Sequence, residues 1–267
     1  VIGADVVYLR PSTVGEAVAA WAEQASAGDN GSKVVRYLGG GTEIVTSARR
    51  AAHSPHALVD VARLEELRRL GPLGGRLVFG AALCLNDVGD SGLFPLLSAT
   101  VRHIADRTTR NRLSLGGNVA GALPYREALL PLLLADALMV TAAPVDGGPP
   151  RRRERSLRSV FDKRLLLEPG ELVVEFSIAP EAAAAPWYHQ RATRTGPVDY
   201  PLVTACFAAG GALAVSGLLA HPAWFADPGS AHAAFADHPV KHDQRGSAEY
   251  RLALFEAMAR RAQEALQ

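Results

Sequence analysis

Residues 34–44, VVRYLGGGTEI, decide how this chain is read. An apolar run, Val34 to Leu38, feeds three glycines, Gly39, Gly40 and Gly41, and then Thr42, Glu43 and Ile44. Glycine lets the backbone turn and brings main-chain N–H groups close to a ligand. Successive exposed N–H groups form a concavity that suits phosphate. Glu43 fits the first turn of a following helix, whose N-terminus favours anions. No lysine follows the glycines, so this is not a nucleotide P-loop, and the spacing is not G-x-G-x-x-G. A second cluster, Ser114-Leu115-Gly116-Gly117-Asn118, follows the apolar Leu113, with Arg110, Asn111 and Arg112 just upstream. The first cluster alone reads equally as a tight strand-to-helix turn, and the second, whose alternative is a β-bulge or hairpin turn, gains weight because it echoes the first. Two of matched design suggest one diphosphate held from two sides.

The surrounding pattern places these loops. Val6 to Leu9 reads as a strand closed by Pro11-Ser12, and Thr13 with Glu16 has capping-box spacing. Val14, Ala17, Val18, Trp21 and Ala25 make an apolar helical stripe ending near Gly28. With Val34 to Leu38 this is a strand–helix–strand unit, and Ala57 to Val61 is a third strand. Further on, Arg76 to Ala82 and Ala137 to Ala143 read as strands. Asn86-Asp87 opens a short helical segment, and helices follow over Phe94 to Ala105 and Arg126 to Asp136. Pro144 to Pro150 is a turn-rich exposed loop. Glu171 to Ile178 and Trp187 to Thr193 are strands, His221 to His242 is irregular, and Ser247 to Gln267 is a helix. Mixed alternating and antiparallel elements favour an α+β fold.

Composition narrows the class. Of 267 residues 48% are hydrophobic and 21% charged, with a net charge of +1, so no global field points to nucleic acid or anionic membrane. Pro201 to Ala220 carries no charge and approaches the length of a bilayer span. Its Gly210-Gly211 break fits two buried strands joined by a turn better than a membrane span. Cys84 and Cys206 are too few for an iron–sulfur cluster or a zinc site and read as buried thiols in a reducing compartment. No N-terminal segment has signal-peptide order, so a cytoplasmic location is expected. His189, His221, His232, His238 and His242 match no metal-ligand spacing. Arg151-Arg152-Arg153 reads as a solvated loop or a partner-docking edge, and Tyr200 as a core residue in preference to a cover for a cofactor ring. No Ser-His-Asp order or G-x-S-x-G elbow supports hydrolysis.

The segments YLGGGTEI (Tyr37 to Ile44) and TRNRLSLGGNVAGALPYREALLPLLLADA (Thr109 to Ala137) resemble the FAD-binding (medium) subunit of the molybdenum hydroxylase family, which includes xanthine dehydrogenase and carbon monoxide dehydrogenase. ALVDVARLEELRRL, RLVFGAALCLNDV, EPGELVVEFSI, DYPLVTACFA and DQRGSAEYRLAL extend the likeness, in order, over nearly the whole chain. PYREALLPLLLADA most resembles bacterial xanthine-dehydrogenase-like subunits.

The resemblance implies the FAD-binding fold of the p-cresol methylhydroxylase/vanillyl-alcohol oxidase type. Two N-terminal α+β subdomains, 1–52 and 53–154, would hold FAD between them. A C-terminal antiparallel-sheet-and-helix subdomain, 155–267, would cover the flavin. It implies non-covalent FAD contacts from Leu38, Gly39, Gly40, Gly41, Thr42, Glu43, Ile44, Leu83, Asn111, Ser114, Leu115, Gly116, Gly117, Asn118 and Glu127, with no catalytic residue or metal ligand in this chain. Leu123 departs from the family's first acidic position, while Glu127 meets the second. Valine at Gly40 or Gly117 is expected to block FAD by pushing a Cβ into the diphosphate site. The implied function is electron transfer from [2Fe-2S] clusters on an iron–sulfur subunit, beside a molybdopterin-binding subunit, through FAD to NAD or another acceptor. The alternatives are a stand-alone FAD oxidoreductase and a flavin-free assembly subunit.

Overall fold

The computed structural model describes residues 6–26, 34–49 and 55–267; the end of the first helix near Gly28 and the break near Ala52 lie outside them. The N-terminal part contains β1 (Val7–Leu9), α1 (Val14–Ser26), β2 (Val35–Leu38), α2 (Thr42–Arg49) and β3 (Ala57–Asp60). Thr13 Oγ1 accepts the Glu16 N–H at 3.1 Å, and the Glu16 carboxylate takes the Ser12 N–H at 2.7 Å. The first bond uses a donor that the start of α1 would leave unpaired, and the return bond falls on Ser12, one residue before the cap. The sheet is parallel in the order β1-β3-β2, so β3 inserts between the strands that flank α1. The first subdomain therefore runs through Asp60, beyond the expected limit at residue 52.

The middle part holds β4 (Leu70–Leu73), β5 (Arg76–Gly80), α3 (Leu85–Ser91), α4 (Pro95–Arg102), α5 (Arg107–Arg110), α6 (Leu115–Ala120), α7 (Leu129–Leu134), β6 (Leu138–Ala143), β7 (Arg151–Ser156), β8 (Phe161–Asp162), β9 (Arg164–Leu165) and β10 (Leu172–Ile178). Its sheet is antiparallel in the order β4-β5-β10-β6-β7. Because β10 is the central strand, residues 155–178 belong here. The second break falls after Ile178, not at Arg155. The arginine triplet is no loop: it opens β7, an edge strand, where Arg151 and Arg153 meet Glu168 at 2.6 Å and Arg152 meets Glu66 at 2.8 Å.

The last part holds α8 (Pro180–Ala184), β11 (Trp187–Thr193), β12 (Pro201–Ala208), β13 (Leu213–Ser216), β14 (Ala223–Phe225), α9 (Pro228–Asp237) and α10 (Ala248–Ala265). Its antiparallel sheet has the order β11-β12-β13-β14. The uncharged stretch is the β12–β13 hairpin, and among the described residues no helix is long and apolar enough to cross a membrane. His221 to His242 is more ordered than its composition suggests. Asp227 caps α9, accepting the Ser230 N–H at 2.8 Å in a capping box.

Every residue of α7 is buried, and the helix packs on α4, β12, β13 and β14. A helix apolar all round belongs in a core, and each fully buried leucine there stabilises by about 1.5–3 kcal/mol. So α7 joins the second and third subdomains into one packed body. At that seam His189 stacks on His103 with ring centroids 5.7 Å apart. Burial, then His103 and Arg191, push the His189 pKa down to about 4. Arg251 of α10 is fully buried and donates to the Leu202 carbonyl at 2.5 Å, the Gly217 carbonyl at 3.1 Å and Asp243 at 2.7 Å. The last arginine of the RGSAEYR segment thus fastens the helix to its sheet.

Candidate cofactor site

The two glycine clusters meet, but they are built differently. Along the first, none of the N–H groups of Gly39, Gly40, Gly41, Thr42, Glu43 and Ile44 has an acceptor among the described residues. The helical ladder of α2 starts only with the Val45 N–H, which reaches the Gly41 carbonyl at 2.9 Å. The Thr42 hydroxyl also has no hydrogen-bond partner among the described residues. This is a row of backbone donors at the N-terminus of an eight-residue helix, the arrangement that holds phosphate. Leu38 supplies the strand end, its carbonyl taken by the Val61 N–H at 3.0 Å.

In the second cluster the donors are already used. The Leu115 N–H reaches the Leu83 carbonyl at 2.9 Å and the Gly116 N–H reaches the Ala81 carbonyl at 2.8 Å. The Gly117 N–H goes to Ser114 Oγ at 3.2 Å and the Asn118 N–H to the Ser114 carbonyl at 2.9 Å. Ser114 is thus the N-cap of α6. Leu83 and Leu115 are core residues, 3% and 0% exposed, so they shape the site from behind. What this cluster still offers outward is the exposed Gly117 and the Asn118 amide nitrogen, whose oxygen partner already takes the Ala128 N–H at 3.0 Å.

Close approach explains the glycines. A Cβ on Gly40 would stand 1.4 Å from the Arg112 carbonyl oxygen, and one on Gly116 would stand 2.7 Å from the Ala81 Cβ. A Cβ on Gly117 would meet Ser114 Oγ at 2.7 Å. The added atoms at Gly40 and Gly117 therefore run into the neighbouring loop or the cap, not into an open diphosphate site. That changes the reason for expecting damage from valine at either position.

Two expected contact residues are held by the protein itself. The Glu43 carboxylate accepts the Ala122 N–H at 3.0 and 3.3 Å, linking the first loop to the segment after α6. Glu127 is buried. Its Oε1 accepts Arg191 Nε at 2.8 Å and Thr204 Oγ1 at 2.6 Å, and Oε2 faces Arg191 Nη2 at 3.5 Å. Arg191 in turn donates to the Pro197 carbonyl at 3.1 Å and the Asp199 carbonyl at 2.5 Å. Glu127 therefore fixes the loop before β12, with both of its oxygens facing Arg191. Asn111 acts through Asn86, whose Nδ2 reaches Asn111 Oδ1 at 2.5 Å and the Arg107 carbonyl at 2.8 Å. Arg110 Nε completes that knot on Asn86 Oδ1 at 3.0 Å.

Tyr200 is not a core residue. It is 51% exposed and stacks on Tyr125 with centroids 5.2 Å apart. Lys241 Nζ donates to the Tyr125 hydroxyl at 2.9 Å and Arg245 lies over the Tyr200 ring at 5.2 Å. Arg245 also meets Asp199 at 2.6 Å; with Thr195 it holds the Asp199 pKa down at about 2. Nothing in the spacing of Tyr125 or Arg126 marks them in the sequence as site residues, and Asn86 reads there only as a helix start.

The packed α+β fold and its row of open backbone donors suit a domain that binds an anionic ligand. Residues 4–180 match the family described as the FAD binding domain in molybdopterin dehydrogenase. The chain belongs to that family. The carbon monoxide dehydrogenase medium chain of Hydrogenophaga pseudoflava is 30% identical over 193 residues, 70% of this chain and 63% of that protein. The chain thus spans somewhat less than two thirds of this curated relative. Among solved structures, the carbon monoxide dehydrogenase from Hydrogenophaga pseudoflava which lacks the Mo-pyranopterin moiety of its molybdenum cofactor superposes with a TM-score of 0.83. It is 25% identical, with 100% of this chain and 98% of that one covered. Quinoline 2-oxidoreductase from Pseudomonas putida 86 shares the fold, with a TM-score of 0.76 at 24% identity and 98% of each chain covered.

Proposed function

We propose that this chain is the FAD-carrying electron-transfer component of a molybdopterin-dependent hydroxylase or dehydrogenase. It would stand between the [2Fe-2S] clusters of a partner subunit and NAD or another acceptor, in a xanthine dehydrogenase-like complex in the cytoplasm. The observation that carries the reading is the row of unpaired N–H groups from Gly39 to Ile44, beside the free Thr42 hydroxyl.

The residues fit the cofactor. Backbone donors and the α2 N-terminus would take the diphosphate, with Thr42 Oγ1 and the Asn118 amide at its sides. Bound FAD supplies the redox chemistry, and the protein supplies grip, orientation and electrostatics. The Glu127–Arg191 pair pins the loop that carries Tyr200, so the tyrosine stack keeps its place relative to the second subdomain. Lys241 and Arg245 keep positive charge at that stack. The two cysteines, unpaired in the structure, suit a reducing compartment.

The test is a visible spectrum of the purified chain after incubation with FAD, then co-purification with its neighbours. Flavin peaks and capture of iron–sulfur and molybdopterin subunits support the proposal. A chain that takes up no flavin is an assembly subunit. One that oxidises a substrate such as xanthine alone is a stand-alone oxidoreductase.

A further inference from the structure

Arg126 stands apart from the other deeply buried arginines. Arg251 faces Asp243 at 2.7 Å and Arg191 faces Glu127 at 2.8 Å, each a carboxylate within ion-pair reach. Arg126 is 5% exposed, yet among the described residues no carboxylate lies within that reach. Its guanidinium sits 5.2 Å over the Phe161 ring, and Nη2 donates to the Lys163 carbonyl. Nε is buried with no acceptor among the described residues. Arg126 also has a φ of +30°, a conformation that costs a side-chain-bearing residue energy.

A buried guanidinium without an anion is expensive, and a strained backbone adds to the cost. Features of this kind persist where a ligand completes them. The position of Arg126 says which ligand. Its segment leaves α6 at Gly121, crosses Glu43 through the Ala122 N–H, and returns to Asn118 through the Ala128 N–H. Arg126 therefore lies in the strap that follows the second glycine cluster and is tied to Glu43 of the first loop and to Asn118 of the second. Glu43 is the carboxylate whose charge it feels, and burial lowers its pKa against that influence. Glu43 itself already accepts the Ala122 N–H. A dianion placed on the N–H groups next to Glu43 would meet like charge and would need a cation in the same low-dielectric surroundings.

We propose that Arg126 is the counter-charge for the diphosphate of the dinucleotide held by residues 39–44. The inference rests on the FAD reading above. On this view the free protein keeps one positive charge unpaired, and the bound cofactor neutralises it.

The experiment titrates FAD into the full-length apoprotein of wild type, Arg126→Met and Arg126→Lys, and melts each apoprotein. The displacement of FAD by ADP, which carries the diphosphate, and by riboflavin, which does not, is measured alongside. Arg126→Met should melt at or above the wild-type temperature. It should bind FAD and ADP roughly 10- to 100-fold more weakly, as expected for a lost charge-assisted bond, and leave riboflavin competition unchanged. Arg126→Lys should recover part of the loss. An Arg126→Met protein that binds FAD within about twofold of wild type overturns the proposal. So does an apoprotein that unfolds or melts well below wild type, because the guanidinium would then be serving the fold. If wild type itself binds no FAD, the parent reading fails. If only the wild-type-to-variant difference is missing, this inference alone fails.

Discussion

Two loops with nearly the same letters, LGGGTE and LGGNVA, do opposite things with their backbone. The first leaves the N–H groups of residues 39–44 without partners, while the second gives those of residues 115–118 to Leu83, Ala81 and Ser114. The first leaves a row of donors open to an anion. The second is a buttress: Gly116 lets α6 lie against Ala81, and Gly40 of the first loop lets the Arg112 carbonyl approach. A glycine-rich motif therefore reports that something comes close, and only the hydrogen-bond inventory says whether that is a ligand or another strand of the same chain.

This division can be broken by substitution. The largest effect is expected from Gly116→Val, whose Cβ would crowd Ala81 at 2.7 Å. Overpacking should cost about 3 kcal/mol of stability, read as a lowered melting temperature of the apoprotein, with FAD affinity of the folded fraction preserved. Thr42→Val should do the reverse. The apoprotein melts as wild type, while FAD dissociation rises roughly 10-fold or more for loss of a hydrogen bond to a charged group. Ser114→Ala should give the smallest change, about 1 kcal/mol of stability for a lost helix N-cap, with FAD binding nearly unaltered. A Ser114→Ala protein that loses flavin but not stability would move Ser114 out of the buttress and into the cradle.

Much of the frame was legible because it depends on neighbours in sequence. The Thr13–Glu16 box, the strands on either side of Gly210-Gly211 and the leucine run of α7 follow from spacing and from runs of apolar residues. The subdomain limits were not, because β3 and β10 join sheets by pairing with strands distant in sequence. Both limits moved later for that reason. The α9 start was written in Asp227-Pro228-Gly229-Ser230, but the surrounding histidines and prolines masked it. At the site the clusters themselves could be found, together with the polar residues that flank them. Their division of labour could not, since it turns on the carbonyls of Ala81 and Leu83 and on Glu127 meeting Arg191, a residue 64 positions away. Arg126 left no trace in the sequence, because an unpaired charge is visible only once every possible partner has been placed.

Amide hydrogen exchange, residue by residue with and without FAD, tests the cradle most directly. The amides of residues 39–44 should exchange rapidly in the apoprotein and slow by roughly 10-fold or more when FAD binds, while those of residues 115–118 should be protected in both states. Amides 115–118 gaining protection on FAD binding while 39–44 remain unchanged would contradict the assignment.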